Sequence, residues 1–450
     1  MRRRILIVGG DAAGMSAAST ARRGLGDAAD VIVFERGTVT SYSACGIPYW
    51  VGGEVADRDD LVVRTPDEHR ANGIDVRTRH EVVAMDAVAK RVLVRSPAGE
   101  EWEAYDDLVL ATGAEPIRPD IPGVDAGSVF GVQSLDDGAR VLHALGDVPA
   151  PTCAVVIGSG YIGLEMAEAL VRRGLRTTVV DRADQPMRTL DPEMGELVAR
   201  AMTATGIRLL MGHAVDEIVT RDGRVAGVRA GAHEIPADLV VLGLGVRARS
   251  DVARSAGLPT GPADAILTEP SQRVTGHPHV WAGGDCASSR HRLFDRPVHI
   301  PLGTHANKQG WVIGRNLAGH DAEFDGVVGT AITRICSREI ARTGLGEADA
   351  RDEGHDVVAA VVEGATRAGY YPGVGSLTVK LVADRADRRV LGAQIVGDEG
   401  AALRIDTVAA GVWTGMTVDD LVMCDLAYAP PFSPVWDPVQ TAGRVLLGRM

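Results

Sequence analysis

The amino-acid sequence predicts an α/β protein in which two copies of a strand–turn–helix unit are followed by a mixed C-terminal part. The chain has 450 residues, more than one hydrophobic core usually supports, so we expect two or three domains. It is 45% hydrophobic with 54 glycines and 22 prolines, a composition typical of folded proteins rather than disordered chains. A glycine-rich turn follows an apolar strand twice, at Gly9 and at Gly158, which predicts a repeated Rossmann-like unit.

The net charge and the cysteines exclude several classes of function. A formal charge of −13 disfavours nucleic acid as a partner, although local arginine clusters can still hold small anions. No apolar run approaches the roughly 20 residues that span a bilayer, and the short run Ile5–Val8 opens into a glycine turn, which predicts a first strand rather than a secretory signal. The cysteines show neither metal-binding nor disulfide spacing, so we expect no metal site and a reducing, cytoplasmic location. They are Cys45, Cys153, Cys286, Cys336 and Cys424.

The first unit has the order of strand, glycine turn, helix, strand and acidic residue that is typical of dinucleotide binding. Its glycines allow the backbone to approach a pyrophosphate at the helix N-terminus, and Glu35 is placed to accept hydrogen bonds from a ribose. Asp11 replaces the middle glycine of the usual pattern, which weakens this copy taken alone. The predicted elements are the strand Ile5–Val8, the turn Gly9–Gly14, the helix Met15–Arg23 and the strand Val31–Phe34.

The second unit repeats this order with every glycine in place. Its acidic residue, Asp181, favours the free ribose hydroxyl of NADH over the phosphate of NADPH, although Arg182 and Arg188 could soften that preference. Two complete units predict two nucleotides, and a nicotinamide that delivers hydride together with a flavin that receives it explains both. The predicted elements are the strand Ala154–Ile157, the turn Gly158–Gly163, a helix through Arg173 and the strand Thr177–Val180.

Three further segments carry a resemblance to a known family. They are Tyr105–Gly113, Val240–Gly245 and Val280–Asp285, each an apolar strand that ends in a glycine turn. Together with the two units they resemble, over the first 320 residues, the pyridine nucleotide–disulfide oxidoreductases. The resemblance implies FAD and either NADH or NADPH as cofactors, and a homodimer. It also implies an FAD domain at residues 1–115 and 250–325, an NAD(P) domain at residues 116–249 and an α+β dimerisation domain at residues 326–450.

The same resemblance assigns the residues that bind the two cofactors. Asp285, after an apolar strand, is expected to contact the FAD ribityl chain, and Tyr161 is expected to gate the nicotinamide pocket. The expected FAD-binding residues are Gly9, Gly14, Glu35, Arg36, Ser43, Thr112, Gly113 and Asp285. The expected NAD(P)-binding residues are Gly158, Gly160, Tyr161, Gly163, Glu165, Asp181 and Gly245.

Cys45 is the candidate redox-active residue. It lies in the segment Ser41–Tyr49, which in the family passes beside the flavin ring, where a helix N-terminus could stabilise its thiolate. Two-cysteine members carry a second cysteine five positions later, where this chain has Trp50, and their acid/base histidine is missing because the last 95 residues contain no histidine. Cys45 is therefore expected to work singly, through a mixed disulfide with a small thiol or through a sulfenic acid.

Among single-cysteine members the chain resembles the coenzyme A disulfide reductases best. In that group, tyrosines from two C-terminal segments reach the active site of the partner subunit. By resemblance, Tyr428 and one of Tyr370 or Tyr371 lie near Cys45 of the other subunit, where a tyrosine can donate a proton to a leaving thiolate. The segments that carry the resemblance are Ala12–Ala18, Ser41–Gly46, Tyr370–Gly373 and Ala427–Ser433.

The coenzyme A contacts of these relatives imply a substrate site, with one departure. Ala44 replaces an asparagine found in some members, which removes a polar contact and leaves another low-molecular-weight disulfide or persulfide open as the substrate. The expected substrate-binding residues are Ser16, Thr20, Arg23, Ser41 and Asn307.

Two other functions are compatible with the same cofactors and the same cysteine. One is an NADH oxidase or a polysulfide or persulfide reductase. Oxidases and peroxidases commonly place a histidine in the first glycine turn, where this chain has Asp11, Ala12 and Ala13, so peroxidase activity is the least expected. The other is a redox-sensing or electron-transfer flavoprotein without turnover. Because the sequence ends at Met450, no fused rhodanese domain is expected.

Overall fold

The structure alternates strands and helices through most of its length. The computed structural model describes residues 2–146, 150 and 152–450. Up to residue 116 the elements are β1 (Arg3–Val8), α1 (Ala12–Leu25), β2 (Ala29–Glu35), α2 (Ile47–Gly52), α3 (Pro66–Ala71), β3 (Asp75–Thr78), β4 (Glu81–Asp86), β5 (Arg91–Ser96), β6 (Gly99–Ala104), β7 (Asp107–Leu110) and β8 (Ala114–Pro116).

The middle of the chain repeats the same alternation. Between residues 129 and 248 the elements are β9 (Val129–Gly131), α4 (Leu135–Leu145), β10 (Cys153–Ile157), α5 (Tyr161–Arg172), β11 (Arg176–Asp181), α6 (Pro192–Ala204), β12 (Arg208–Met211), β13 (Glu217–Arg221), β14 (Arg224–Ala230), β15 (His233–Pro236), β16 (Leu239–Leu242) and β17 (Val246–Ala248). Between residues 251 and 317 they are α7 (Asp251–Ser255), β18 (Val280–Ala282), β19 (Ser289–His291), β20 (Arg296–Val298) and α8 (Gly303–Leu317).

The first sheet is parallel and carries the first glycine turn at the end of a central strand. Its order is β18–β7–β1–β2–β3. Ile5, Leu6 and Ile7 of β1 are completely buried, as expected for a parallel sheet that is covered on both faces. β18 pairs with β7, so two separate stretches of the chain build this sheet. The domain boundaries predicted from the sequence stay predictions. The predicted helix after the turn is α1, which begins at Ala12 rather than at Met15.

Helices α1 and α8 lie side by side and run in the same direction. A Cβ at Gly310 would lie 2.3 Å from the carbonyl oxygen of Ala13, and one at Gly314 would lie 2.5 Å from the Cβ of Thr20. Glycine at both positions therefore allows the two backbones to approach closely. The side chains on the outer edge of this helix pair are Ser16 and Arg23 of α1 and Asn307, Trp311 and Arg315 of α8.

The second sheet repeats the first one, and residues of α2 belong to its hydrophobic core. Its order is β12–β11–β10–β16–β9, and β13–β14–β15 form a separate antiparallel sheet. Every residue of β10 is buried, and α5 follows the second glycine turn and ends at Arg172 rather than at Arg173. Helix α2 of the first unit packs against α5 and α4. Trp50 of α2 is buried in this contact, so the two units are joined directly beside Cys45.

The C-terminal part is an antiparallel sheet covered by helices. Its elements are β21 (Ala331–Ile335), β22 (Arg338–Gly344), α9 (Glu347–Asp352), β23 (Val357–Ala365), β24 (Ser376–Asp384), β25 (Val390–Gly397), α10 (Ile405–Thr414), α11 (Val418–Met423) and α12 (Pro438–Leu447). The strand order is β21–β22–β25–β24–β23. Leu377, Val379 and Leu381 of β24 alternate along the strand and are buried, because one face of the sheet packs against α10 and α12.

A buried lysine connects this sheet to the second unit. The side chain of Lys380 is 2% exposed, and its ammonium is surrounded by carboxylates, as a buried charge requires. The carboxylates belong to Asp191 at 2.8 Å, Glu193 at 2.5 Å and Glu347 at 2.6 Å. Since Asp191 and Glu193 flank the start of α6, the ion cluster fixes the C-terminal sheet against the second unit. Within the part of the chain that the structure describes, no helix is both long and apolar enough to cross a bilayer.

Candidate active site

The first glycine turn has a backbone that only glycine permits at two positions. Gly9 has φ +109°, and a Cβ there would lie 2.1 Å from the carbonyl oxygen of Ala111. A Cβ at Gly14 would lie 1.9 Å from the carbonyl oxygen of Gly9. The turn therefore holds α1 tightly against β1 and leaves the N-terminus of α1 open toward a phosphate.

Glu35 closes the rim of this turn. Its Oε2 accepts a hydrogen bond from the backbone nitrogen of Gly10 at 2.8 Å, and its Oε1 accepts one from Gly37 at 2.6 Å. A Cβ at Gly10 would lie 3.1 Å from the Cβ of Glu35. The carboxylate is thus fixed at the end of β2, next to the place where a dinucleotide ribose would lie.

The carboxylate of Asp285 points to a polar ligand. It follows β18 and accepts no hydrogen bond from any residue that the structure describes. Burial raises its pKa, and the nearby charge of His299 partly opposes that shift. A partly buried acceptor without a donor fits the hydroxyls of a polyol such as the FAD ribityl chain. The Asp285 carboxylate and the first glycine turn together show that the residues present fit FAD.

The other residues predicted for FAD lie in the segments around this turn. The Thr112 hydroxyl donates to the carbonyl oxygen of Arg249 at 2.5 Å, and Gly113 has φ +71°. Burial lowers the pKa of Arg249, and the positive charge of Arg36 acts in the same direction. The backbone nitrogen of Ser43 donates to the carbonyl oxygen of Leu61 at 2.8 Å. Their contacts to a flavin stay predictions.

The second glycine turn repeats this geometry at equivalent positions. Gly158 has φ +104°, and a Cβ at Gly163 would lie 2.2 Å from the carbonyl oxygen of Gly158. Asp181 accepts hydrogen bonds from the backbone nitrogen and the hydroxyl of Ser159, both at 2.7 Å, and from the backbone nitrogen of Ala183 at 2.9 Å. A Cβ at Gly160 would meet nothing within 4 Å. The turn is therefore rigid at its base and open at its middle position.

Three more residues predicted for NAD(P) lie around this turn. Gly245, with φ +91°, follows β16, and Tyr161 is the first residue of α5. Burial raises the pKa of Tyr161. Glu165 lies one turn further along α5 and accepts a hydrogen bond from the Thr333 hydroxyl at 2.6 Å. Burial raises the pKa of Glu165, and the Thr333 hydrogen bond opposes the shift.

Cys45 lies where the first unit meets α5 of the second. It is part of the 3₁₀ turn Ala44–Gly46, directly before α2, and it is exposed in the single chain. Burial by the surrounding residues raises the pKa of its thiol, and the charges of Glu165 and Asp285 act in the same direction. Stabilisation of a Cys45 thiolate by the N-terminus of α2 stays a prediction, because burial is the largest cause that raises the pKa of the thiol in the polypeptide alone.

The segment that carries Cys45 is attached to the first glycine turn. The backbone nitrogen of Ser41 donates to the carbonyl oxygen of Gly10 at 3.1 Å, and that of Tyr42 donates to Oδ1 of Asp11 at 3.1 Å. Ser41 has φ +48°, a strained value for serine that these bonds hold in place. The residue that departs from the glycine pattern, Asp11, is thus a structural link between the turn and Cys45.

Sequence reasoning missed two polar neighbours of this site. Nε2 of His69 lies 2.9 Å from the hydroxyl of Ser41, while Nδ1 of the same ring is buried and has no hydrogen-bond partner among the residues that the structure describes. Thr333, from the C-terminal sheet, holds Glu165. The signal for His69 was a histidine on the inner side of a short helix with a capping box at Thr65, whereas Thr333 has no sequence signal.

Four of the five residues predicted to bind substrate lie along the pair α1 and α8. The Ser16 hydroxyl donates to the backbone carbonyl of Asn307 at 3.1 Å, and Nη2 of Arg23 donates to the hydroxyl of Thr20 at 3.2 Å. The fifth, Ser41, lies in the Cys45 segment. The structure brings these residues to two neighbouring regions, and their role in substrate binding stays a prediction.

The three predicted catalytic tyrosines lie on the C-terminal part. Tyr370 is 78% exposed and Tyr428 is 47% exposed, and Tyr371 is partly buried. Slight desolvation and the neighbouring Tyr370 hydroxyl raise the pKa of Tyr428, so these two tyrosines form a pair. Among the described residues of one chain, no hydrogen bond joins them to Cys45.

Comparisons with known proteins agree with this geometry. The profile of the family described as pyridine nucleotide-disulphide oxidoreductase matches residues 3–310, and that of its dimerisation domain matches residues 330–438. The chain is 38% identical over 449 residues to an NAD(P)H coenzyme A polysulfide/persulfide reductase of Pyrococcus horikoshii, with 99% of each chain covered. It is 30% identical to a coenzyme A disulfide reductase of Staphylococcus aureus, with 98% of this chain and 99% of the other covered. The structure of an NAD-dependent persulfide reductase from A. fulgidus superposes with a TM-score of 0.96 at 36% identity, covering 99% of this chain and 83% of that one.

Proposed function

Because the chain belongs to the pyridine nucleotide-disulphide oxidoreductase family, we propose that it reduces coenzyme A disulfide through a mixed disulfide on Cys45. It is an NAD(P)H-dependent flavoprotein oxidoreductase of the coenzyme A disulfide reductase type. The observation that carries the proposal is the attachment of the Cys45 segment to the first glycine turn through Gly10 and Asp11. A lone thiol beside a flavin site, with Trp50 buried where a second cysteine would be, supports chemistry with an external thiol.

The proposed reaction begins with the sulfur of Cys45. Its thiolate attacks one sulfur of the substrate disulfide, the substrate S–S bond breaks, and one thiolate leaves and takes up a proton. Bound FAD would supply the two electrons for the second half, taken from NAD(P)H. With these electrons the mixed disulfide is cleaved, the Cys45 thiolate is restored, and the second substrate thiolate leaves and takes up a proton.

The residues of this chain prepare that exchange in two ways. Glu35, Asp285 and the two glycine turns would hold and orient the two cofactors. Glu165 and Asp11 raise the pKa of the Cys45 thiol when they are ionised, and burial limits this charge because it raises the pKa of both carboxyl groups.

We further infer that the active site is completed by a second copy of the chain. The family's dimerisation domain covers residues 330–438, and Tyr370 and Tyr428 lie exposed within it as a neighbouring pair. Placed beside Cys45 of the partner, a tyrosine hydroxyl can protonate the leaving thiolate. The domain boundaries at residues 115, 250 and 325 are part of the same proposal.

The test is the rate of NADH oxidation with coenzyme A disulfide as substrate. Cys45→Ser is expected to lose roughly a thousandfold or more of this activity while keeping bound FAD, because serine cannot form the mixed disulfide. Cys424→Ser, at another partly accessible cysteine, is the matched control and should keep full activity. Full turnover of disulfide by Cys45→Ser would refute the proposal.

A second candidate is reduction of a coenzyme A persulfide or polysulfide by the same residues. The similarity to a coenzyme A polysulfide/persulfide reductase at 38% identity and to a persulfide reductase at 36% identity favours this candidate. It differs in the product, because reduction of a persulfide releases hydrogen sulfide in addition to the thiol. Comparing kcat/KM for coenzyme A disulfide and coenzyme A persulfide, with sulfide measured, separates the two, and oxygen consumption without either substrate would identify an oxidase.

A further inference from the structure

The contact between Ser41 and His69 combines a strained backbone with a buried polar atom that lacks a partner. Ser41 has φ +48° and begins the segment that carries Cys45. Its hydroxyl lies 2.9 Å from Nε2 of His69, a residue of α3 that is 2% exposed. Nδ1 of His69 has no hydrogen-bond partner in the part of the chain that the structure describes. Both features cost stability, so their occurrence in one contact points to a function.

The unpartnered Nδ1 determines the direction of this hydrogen bond. Burial lowers the pKa of His69, and the positive charge of Arg64 acts in the same direction, so the ring is mostly neutral at pH 7 and carries a proton on one nitrogen. A buried N–H group without an acceptor is rarer in proteins than an acceptor without a donor. The proton therefore belongs on Nε2, which donates it to the oxygen of Ser41.

This direction leaves the hydroxyl hydrogen of Ser41 free for a ligand. A serine hydroxyl donates one hydrogen bond in addition to those that it accepts, and no residue that the structure describes accepts one from Ser41. Ser41 is half-buried and Cys45 is exposed. The two residues are four positions apart, which is at most about 14 Å along an extended chain. A molecule that reacts with Cys45 can therefore also place an acceptor against Ser41.

We propose that His69 is a positioning residue, which makes Ser41 a hydrogen-bond donor for substrates that carry an amide carbonyl near their sulfur. The inference rests on the proposed function and concerns how the thiol arm of the substrate is recognised. The family resemblance predicts only that Ser41 binds substrate, whereas the structure adds the buried histidine that fixes its hydroxyl. The thiol arm of coenzyme A has an amide close to its sulfur and so provides the acceptor.

The experiment compares a disulfide that has this carbonyl with one that lacks it. His69→Phe keeps a buried ring but removes the donor. It is expected to raise the KM for coenzyme A disulfide roughly fivefold, the loss of one hydrogen bond, while kcat stays within about twofold. Cystamine has an ammonium group in place of the amide, so its KM should stay within about twofold of wild type. His69→Gln can donate from its side-chain amide and should restore most of the KM for coenzyme A disulfide.

Thr40→Val is the matched control. The Thr40 hydroxyl donates to the carbonyl oxygen of Arg64 at 3.3 Å, so it joins the Cys45 segment to the residues before α3, one position away from Ser41. The control should lower the melting temperature and change neither KM, because the segment loses an attachment but Ser41 keeps its donor. Ser41→Ala should reproduce the effect of His69→Phe, and the double variant should show no further rise in KM.

The remaining outcomes contradict the inference. Equal losses with both disulfides would make His69 structural, and additive losses in the double variant would show that His69 and Ser41 act separately. If His69→Phe does not fold, Ser41→Ala must still raise the KM for coenzyme A disulfide alone, and His69→Gln must keep it low. If wild type reduces coenzyme A disulfide through Cys45 but no variant separates the two substrates, this inference fails alone. If wild type reduces no disulfide, the proposed function fails with it.

Discussion

The two glycine turns have the same backbone but differ at their middle position. Both begin with a glycine at positive φ, Gly9 and Gly158, and both end with a glycine whose Cβ would collide with a carbonyl oxygen. In both, the acidic residue of the next strand accepts a hydrogen bond from the turn. At the middle, however, the first turn has Asp11, bonded to Tyr42, and the second has Gly160 with open space.

This difference matches the different tasks of two cofactors. In the proposed function the first turn holds a permanently bound flavin, and it can also hold the Cys45 segment because Asp11 accepts a hydrogen bond from Tyr42. In the proposed function the second turn binds and releases a nicotinamide nucleotide in every cycle, and the open space at Gly160 gives that nucleotide free access. The comparison therefore teaches that a departure from the glycine pattern can be a functional addition rather than a weakened copy.

The largest expected effect comes from the position where both turns are most crowded. Gly14→Ala places a Cβ 1.9 Å from a carbonyl oxygen, so the backbone must shift, and we expect loss of FAD and of folded protein. Gly163→Ala, with a contact of 2.2 Å, should instead keep FAD and lose NADH oxidation, because it distorts only the second turn. Flavin absorbance per chain and thermal unfolding measure both.

Gly160→Ala is the control for these two substitutions. Its Cβ meets nothing within 4 Å, so the melting temperature should stay within about 2 °C of wild type, with at most a higher KM for NADH. Retained FAD in Gly14→Ala at wild-type stability would show that the first turn tolerates a side chain and would break the comparison.

The next effect concerns the two acidic residues. Asp181→Ala removes the charge that repels the extra phosphate of NADPH, so the ratio of kcat/KM for NADH to that for NADPH should fall roughly 10- to 100-fold. Glu35→Ala in the first unit should leave this ratio unchanged and weaken FAD retention instead. Arg182→Ala is expected to shift the ratio in the opposite direction. An unchanged ratio in Asp181→Ala would mean that another residue sets the preference.

Much of this site could be predicted because its signals are local. The turns, Glu35 and Asp181 each follow from a short pattern with a fixed spacing, and Cys45 follows from the resemblance of its segment to the family. The contacts that join them could not be predicted, because they connect positions far apart in the sequence: Tyr42 with Asp11, Thr333 with Glu165, and Lys380 with three carboxylates. No periodicity or composition encodes such pairs, since they depend on how the sheets pack.

The smallest expected effect tests the link through Asp11. Burial raises the pKa of Asp11 to about 7, opposed by the Tyr42 hydrogen bond and reinforced by Glu35 and Asp285. The folded chain therefore keeps a proton that the unfolded chain loses near pH 4, so ionisation of Asp11 costs stability progressively between about pH 4 and 7, and fully above it. Asp11→Asn retains an acceptor for Tyr42 without this cost.

The stability advantage of Asp11→Asn over wild type should accordingly be near zero at pH 4 and reach roughly 1 to 3 kcal/mol at pH 8. Thermal unfolding of the FAD-bound protein across this pH range measures it. Asp11→Ala should show the same pH trend, but it should also lose several-fold in disulfide reduction, because Tyr42 loses its partner and the Cys45 segment is held less firmly. A pH-independent advantage would assign the effect to packing, and full activity in Asp11→Ala would show that the bonds of Ser41 alone hold Cys45 in place.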